Sequence, residues 1–197
     1  MSVIFGIDYG SKLSGNTVIA IFQDNQILFL EAEAKVDADQ FIKNAVAHFK
    51  PKRIFLDAPL SLPGVYKGLA GFSNYHFRKA DIETKAMSPM FLGGLAARAM
   101  DLTAHCQKAG SDVFETYPKM MAQRFNLADF GYKSSKSAIR ECALRLKSCI
   151  KEPIHFNLSD IKTWHHLDAL LALMSAMSYS CGDFTTYGDS GEGLIYV

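Results

Sequence analysis

An excess of charge of either sign is what this chain lacks most: 21 Lys and Arg offset 20 Asp and Glu, for a formal net charge of +1. No global field therefore steers a polyanion toward it, and any nucleic-acid site has to be a local basic patch. Cysteine is scarce as well. Cys106, Cys142, Cys149 and Cys181 form no C-x-x-C pair and no other zinc-ligand spacing, which leaves them as reduced core thiols. No run approaches the roughly 20 apolar residues of a membrane span. The opening MSVIFGIDYG reads as a strand, without the basic and apolar regions of a signal peptide. A cytoplasmic protein with no membrane partner is the expectation. Internal repeats and low-complexity tracts are absent too. What is present is 49% hydrophobic and 12% aromatic residues over 197 positions, enough for a single domain with a full core and an inserted segment.

Residues 3–7 are a continuous apolar run, as in a strand buried on both faces, and Gly10, Ser11 and Gly15 supply turn chemistry after it. Runs 17–22 and 27–33 flank the turn-prone pair Asp24-Asn25, so the first three strands predict an antiparallel meander. Asp37 is a good N-cap with Gln40 at the capping-box position. Phe41, Ile42, Ala45, Val46 and Phe49 then recur at helical spacing before Pro51. A strand over 53–57, a helix over 95–109 ended by Gly110 and a strand over 113–116 follow. The order βββαβαβ, with helices after it, is ribonuclease H-like. It predicts an α/β fold with a mixed five-stranded sheet, antiparallel meander first and crossover strands afterwards, covered by helices on both faces. Segment 58–94 has weak periodicity and carries Pro59, Pro63 and Pro89. An interruption of that length is either a lid over the sheet end or a small packed excursion.

Four carboxylates fall where such a fold would gather them. Asp8, Asp57 and Glu115 each end a strand, and Asp168 lies within an apolar C-terminal helix. An unpaired charge out of water costs several kcal/mol or more, so the repeated pattern points to a shared cation. Each acid also has a structural reading: Asp8 as a turn cap, Asp57 in an Asx-turn, Glu115 reaching water or an arginine, Asp168 in a salt bridge. Asp168 lies on one side of its helix with Trp164, Leu171, Ala172 and Ser175, where it needs a partner, and His165 or a metal are the candidates in reach. His166 points away and reads as a packing or surface residue. Around Asp8, Gly10 lets the backbone approach a ligand closely, and the N–H groups near Ser11 could face an anion.

In helix 135–149, Lys136, Arg140 and Lys147 share one face, with Lys133 and Lys151 close to the same line, opposite Ile139, Ala143, Leu146 and Ile150. That is either a phosphate-tracking stripe or a solvated face. In the inserted segment Tyr66, Phe72, Tyr75 and Phe77 interleave with Lys67, His76, Arg78 and Lys79, a mix that suits base stacking and phosphate contact, or core packing.

In the order GIDYGSKLSG, IFLDAPLSLP, FRKAD, SPMFLGGLAARAMDL, ETYPK, the 133–140 stretch, HHLDALLALMSA and GDSGEGLIYV, the chain resembles a family of predicted ribonuclease H-like nucleases, distantly related to RuvC-type Holliday-junction resolvases. The resemblance implies metal ligands at Asp8, Asp57 and Asp168 with Glu115 as an additional acid, and it places Arg78, Asp81, Arg98 and Lys133 near the cleft. The last helix offers one acid, Asp168, beside His165.

These residues support a divalent-metal-dependent phosphodiester hydrolase with Mg²⁺ or Mn²⁺ as cofactor. Its catalytic groups are Asp8, Asp57, Glu115, Asp168 and His165. Gly10, Ser11, Arg78, Lys79, Asp81, Arg98, Lys133, Lys136 and Arg140 are set against a nucleic-acid substrate, and a resolvase would act as a homodimer. Two other readings stand beside it: a nucleotide-binding or phosphoryl-transfer protein of the actin-like superfamily, and a non-catalytic ribonuclease H-like binding module.

Overall fold

The computed structural model describes residues 2–150 and 153–197; Lys151 of the basic stripe lies outside them. Strands β1 (Ile4–Asp8), β2 (Val18–Gln23) and β3 (Gln26–Glu31) form the expected meander. Asp24 and Asn25 both adopt left-handed backbone at the hairpin turn, the conformation a tight two-residue connection needs. Helix α1 (Ala38–Phe49) starts at Asp37, whose side chain accepts from the amides of Asp39 and Gln40. Gln40 does not complete a capping box, because its side-chain amide donates to Asn44 instead.

The remaining strands and α-helices are β4 (Arg53–Asp57), α2 (Lys79–Thr84), α3 (Pro89–Leu92), α4 (Gly94–Lys108), β5 (Asp112–Glu115), α5 (Pro118–Arg124), α6 (Ala138–Cys149), α7 (Trp164–Cys181), β6 (Thr186–Asp189) and β7 (Gly193–Tyr196). The sheet is mixed and α/β as expected, but it has seven strands in the order β3-β2-β1-β4-β5-β7-β6, where the sequence predicts five. The two additional strands are four residues each and contain Gly188 and Gly193 at positive φ, too short and too glycine-rich to give an alternating pattern. Helix α6 begins three residues later than predicted, because left-handed backbone at Gly131 and Lys133 keeps the preceding segment in turns.

The central strands bury both faces. Val18, Ala20, Phe22 and Phe55 face a core shared with α5, α6 and α7, while Phe5, Ile7, Ile19, Ile21, Ile54 and Leu56 face α1 and α4. That explains their near-continuous apolar runs. Gly6 is the exception in β1. A Cβ there would lie 2.1 Å from the Leu173 nitrogen and 2.5 Å from the Ala169 oxygen of α7, so only glycine lets α7 lie this close to the strand.

The inserted segment is bound down by the last hairpin. The Glu192 carboxylate accepts from the amides of Gly64 and Lys79, both at 2.6 Å. Lys67 donates back to the Gly191 and Glu192 carbonyls at 3.1 and 2.7 Å, and Glu83 accepts from the Gly188 amide at 2.7 Å. Arg78, fully buried, joins Asp81 to Glu115 at the end of β5. Between them these contacts tie the 58–94 segment to the terminal hairpin and to the end of β5.

Gly6→Ala should be among the most destabilising single-methyl changes in the chain, because a helix backbone cannot rotate away as a side chain can. A cost of about 3 kcal/mol or more is expected, read as a lowered urea midpoint.

Candidate functional site

The parallel pairing of β1 with β4 sets Asp8 directly opposite Asp57, and the close seat of α7 on Gly6 brings in Asp168. The three carboxylates have different surroundings. Asp8 Oδ2 lies 2.7 Å from Nδ1 of His165. Asp168 accepts from the Tyr132 hydroxyl at 2.6 Å and pairs with the Lys133 ammonium at 2.8 Å. Asp57 has no hydrogen bond and no ion pair among the described residues.

Electrostatics follow from that arrangement. Burial, then Asp8 and Asp168, push the Asp57 carboxyl well above the usual carboxylate range. Asp8 is raised too, first by burial and then by Asp168, against the pull of its His165 hydrogen bond. The hydrogen bond to Asp8 raises His165. Burial works against the Lys133 ammonium, but Asp168, Asp57 and Asp8 outweigh it and raise its pKa. The lysine is the local counter-charge of the cluster.

Not every residue singled out in the sequence reaches this cluster. Glu115 is paired on β5 with Leu56 of β4, but both of its oxygens are taken: Arg78 reaches them at 2.6 and 2.7 Å and the Leu60 amide at 2.8 Å. The expectation of Glu115 as a metal ligand therefore meets an arginine already in place. Arg78 and Asp81 are likewise engaged with each other, Arg78 also donating to Ser61, so the arginine's donors are taken up within the protein. Arg98 pairs with Asp39 at 2.7 Å and lies over the Tyr9 ring. The Gly10 amide donates to Thr17 Oγ1 at 3.0 Å rather than standing open to an anion, and Ser11 is exposed. Lys79 is exposed, 3.8 Å from Glu83. Lys136 and Arg140 are exposed at the start of α6 with no partner among the described residues, whereas Lys147 donates to the Phe156 carbonyl.

His165 differs from expectation in its partner, which is Asp8 rather than Asp168. His166, expected to pack or face the surface, is buried, within hydrogen-bonding distance of the Thr163 hydroxyl and near the Phe29 ring. Of the four free thiols only Cys106 and Cys142 are buried; Cys181 is exposed. Tyr132 is the residue that sequence reasoning missed. Its one signal is adjacency to Lys133 in a turn before a basic helix.

Two cavities meet at Asp57 and Tyr117, which line both. One, of about 210 Å³, continues along Tyr9, Pro59, Met87, Leu92 and Leu95. The other, of about 400 Å³, continues along Lys119, Gln123, Tyr132 and Lys133. Among the described residues no group of three or more His, Cys, Asp or Glu side chains is arranged to hold a metal ion. No helix among them is long and apolar enough to cross a membrane.

No family model matches the chain, and no curated protein matches it. Among solved structures it is similar to Thermus thermophilus RuvC in complex with a Holliday junction substrate, at a TM-score of 0.47 and 15% identity, over 92% of this chain and 97% of that one.

The unpartnered Asp57 sets a sign for pH dependence. A carboxyl whose pKa is raised on folding makes the native state bind more protons than the unfolded chain, so its penalty grows as pH rises from the unfolded pKa of about 3.9 toward the folded value. In chelator, Asp57→Asn should raise the melting temperature at pH 7, and the gain should vanish as pH falls toward 4. Melting curves across that range check it; a loss of stability at pH 7 would mean that Asp57 holds a favourable contact.

Proposed function

We propose that this chain is a divalent-metal-dependent phosphodiester hydrolase of ribonuclease H-like type acting on nucleic acid. The observation that carries the reading is the Asp57 carboxylate: half-buried, set by strand register beside Asp8, repelled by Asp8 and Asp168, and without a partner among the described residues. Evolutionary decay or simple packing has no use for such a group, whereas hard oxygen donors of this kind suit Mg²⁺ or Mn²⁺. Asp8, Asp57 and Asp168 would hold the ion, and when bound it would supply charge for the phosphoryl oxygens and a lowered pKa for an attacking water.

The protein's own groups have separate tasks. His165 and Tyr132 fix the orientations of Asp8 and Asp168 through single hydrogen bonds. Lys133, half-exposed, paired at its tip with Asp168 and lying over the Tyr132 ring, can swing from the carboxylate to a substrate phosphate, replacing one anion by another. Hydrolysis forms a bond from water oxygen to phosphorus and breaks the bond to the leaving oxygen, which takes up a proton. Glu115 is left out of the proposed ligand set because Arg78 holds it, and it acts instead by fixing the wall of the cleft. The satisfied Gly10 amide gives no support to a phosphate-cradling nucleotide site.

With Mn²⁺ or Mg²⁺ the protein should cleave at least one of single-stranded, duplex or branched DNA or RNA, and Asp57→Asn should lower the rate at least about 100-fold, as loss of a principal charge-stabilising group does. Absence of cleavage across that panel, together with saturable thermal stabilisation by ATP, would replace this reading with a nucleotide-binding one.

A further inference from the structure

The cavity of about 210 Å³ beside Asp57 is smaller than the roughly 300–1,000 Å³ of sites that hold drug-sized ligands. It has room for one ring system rather than for a length of duplex. Its walls come from Tyr9, Pro59, Met87, Leu92, Leu95 and Tyr117. Tyr9 is fixed by its hydroxyl bond to Asp39 and by the Arg98 guanidinium over its face, 4.9 Å from the ring centroid. Arg78 and Glu115 also border the cavity, but they satisfy each other. Among the charged groups that line it, Asp57 is the one left unpaired.

Across Asp57 and Tyr117 the second cavity has Lys119 and Lys133 among its otherwise largely apolar lining, and Lys136 and Arg140, without a partner among the described residues, follow along the chain. An apolar slot for one flat ring on one side of the acids and ammonium groups on the other suit the two halves of a nucleotide within a strand. Met87 of the slot lining is 60% exposed, and Phe91, one residue before the lining residue Leu92, is 64% exposed with its ring against His76 and Phe77.

Resting on the hydrolase reading above, we propose that the smaller cavity receives a single nucleobase that has left its stack, while the phosphates on the other side of it run past Asp57 toward Lys119 and Lys133. The substrate class is then nucleic acid with an unpaired nucleotide, such as a single strand, loop or bulge. Stacking rather than edge hydrogen bonds would hold the base, so preference among the four bases is small.

The test measures binding in chelator, apart from cleavage, by fluorescence anisotropy. A duplex with one unpaired thymidine should bind the wild-type protein about 5- to 150-fold tighter than the same duplex fully paired, the range that stacking of one base supplies. Replacing the unpaired thymidine by an abasic residue should abolish the preference, and this comparison needs no variant. Leu92→Trp, which fills the slot, should bring the ratio toward one. Equal binding of paired and bulged duplex, a preference kept by the abasic bulge, or thymidine monophosphate binding as tightly as the bulged duplex would each overturn the proposal. The two readings fail separately: Mn²⁺-dependent cleavage without the bulge preference removes the slot alone, and the preference without any cleavage removes the hydrolase alone.

Discussion

Gly6 touches the backbone of α7 at a distance no side chain would allow, and the candidate site is a consequence of that contact. Any Cβ at this position would meet the Leu173 nitrogen and Ala169 oxygen. With the helix seated on the strand, Asp168 arrives beside Asp8, two residues along β1 from Gly6. The parallel register then sets Asp57 opposite Asp8. Three like charges converge because backbone packing places them there. The cost is met in part by His165, Tyr132 and Lys133, and Asp57 is left unmatched.

A second set of charges borders the smaller cavity. Arg78 is bidentate to Glu115 and paired with Asp81, all three buried. A hydrophobic replacement of similar volume could be as stable, but a guanidinium between two carboxylates has few orientations, and so it fixes where the inserted segment begins its return. Glu192 adds a second tie from the terminal hairpin to both Gly64 and Lys79. Met87 and Leu92 thus stand as a wall of the smaller cavity.

Much of this was legible in the sequence, and the divisions have physical causes. The apolar runs of β1, β2 and β4 and the Asp37 cap were readable because buried strands and helix starts depend on local chemistry. The acids at strand ends were readable for the same reason. The terminal hairpin was not: its strands are four residues each with glycines at positive φ, and β7 pairs in parallel with β5, far back in the chain. Missing it hid the anchor of the 58–94 segment, which then read equally as a lid. Partners across long separations were also unreadable. His165 is closer in sequence to Asp168 yet bonds Asp8, and Arg78 takes Glu115, because helix rotation and the path of the insertion decide these contacts rather than spacing. One open alternative did describe the outcome, since a glutamate at a strand end reaching an arginine is what Glu115 is.

The proposed hydrolase requires Asp8, Asp57 and Asp168 to serve as one cation site. The most direct measurement is anomalous diffraction from crystals soaked in Mn²⁺. A peak bonded to carboxylate oxygens of Asp57 and at least one of Asp8 and Asp168 is expected, with the Lys133 ammonium moved off Asp168. An empty cluster with Lys133 still on Asp168 at saturating Mn²⁺, or a peak elsewhere in the molecule alone, would contradict it.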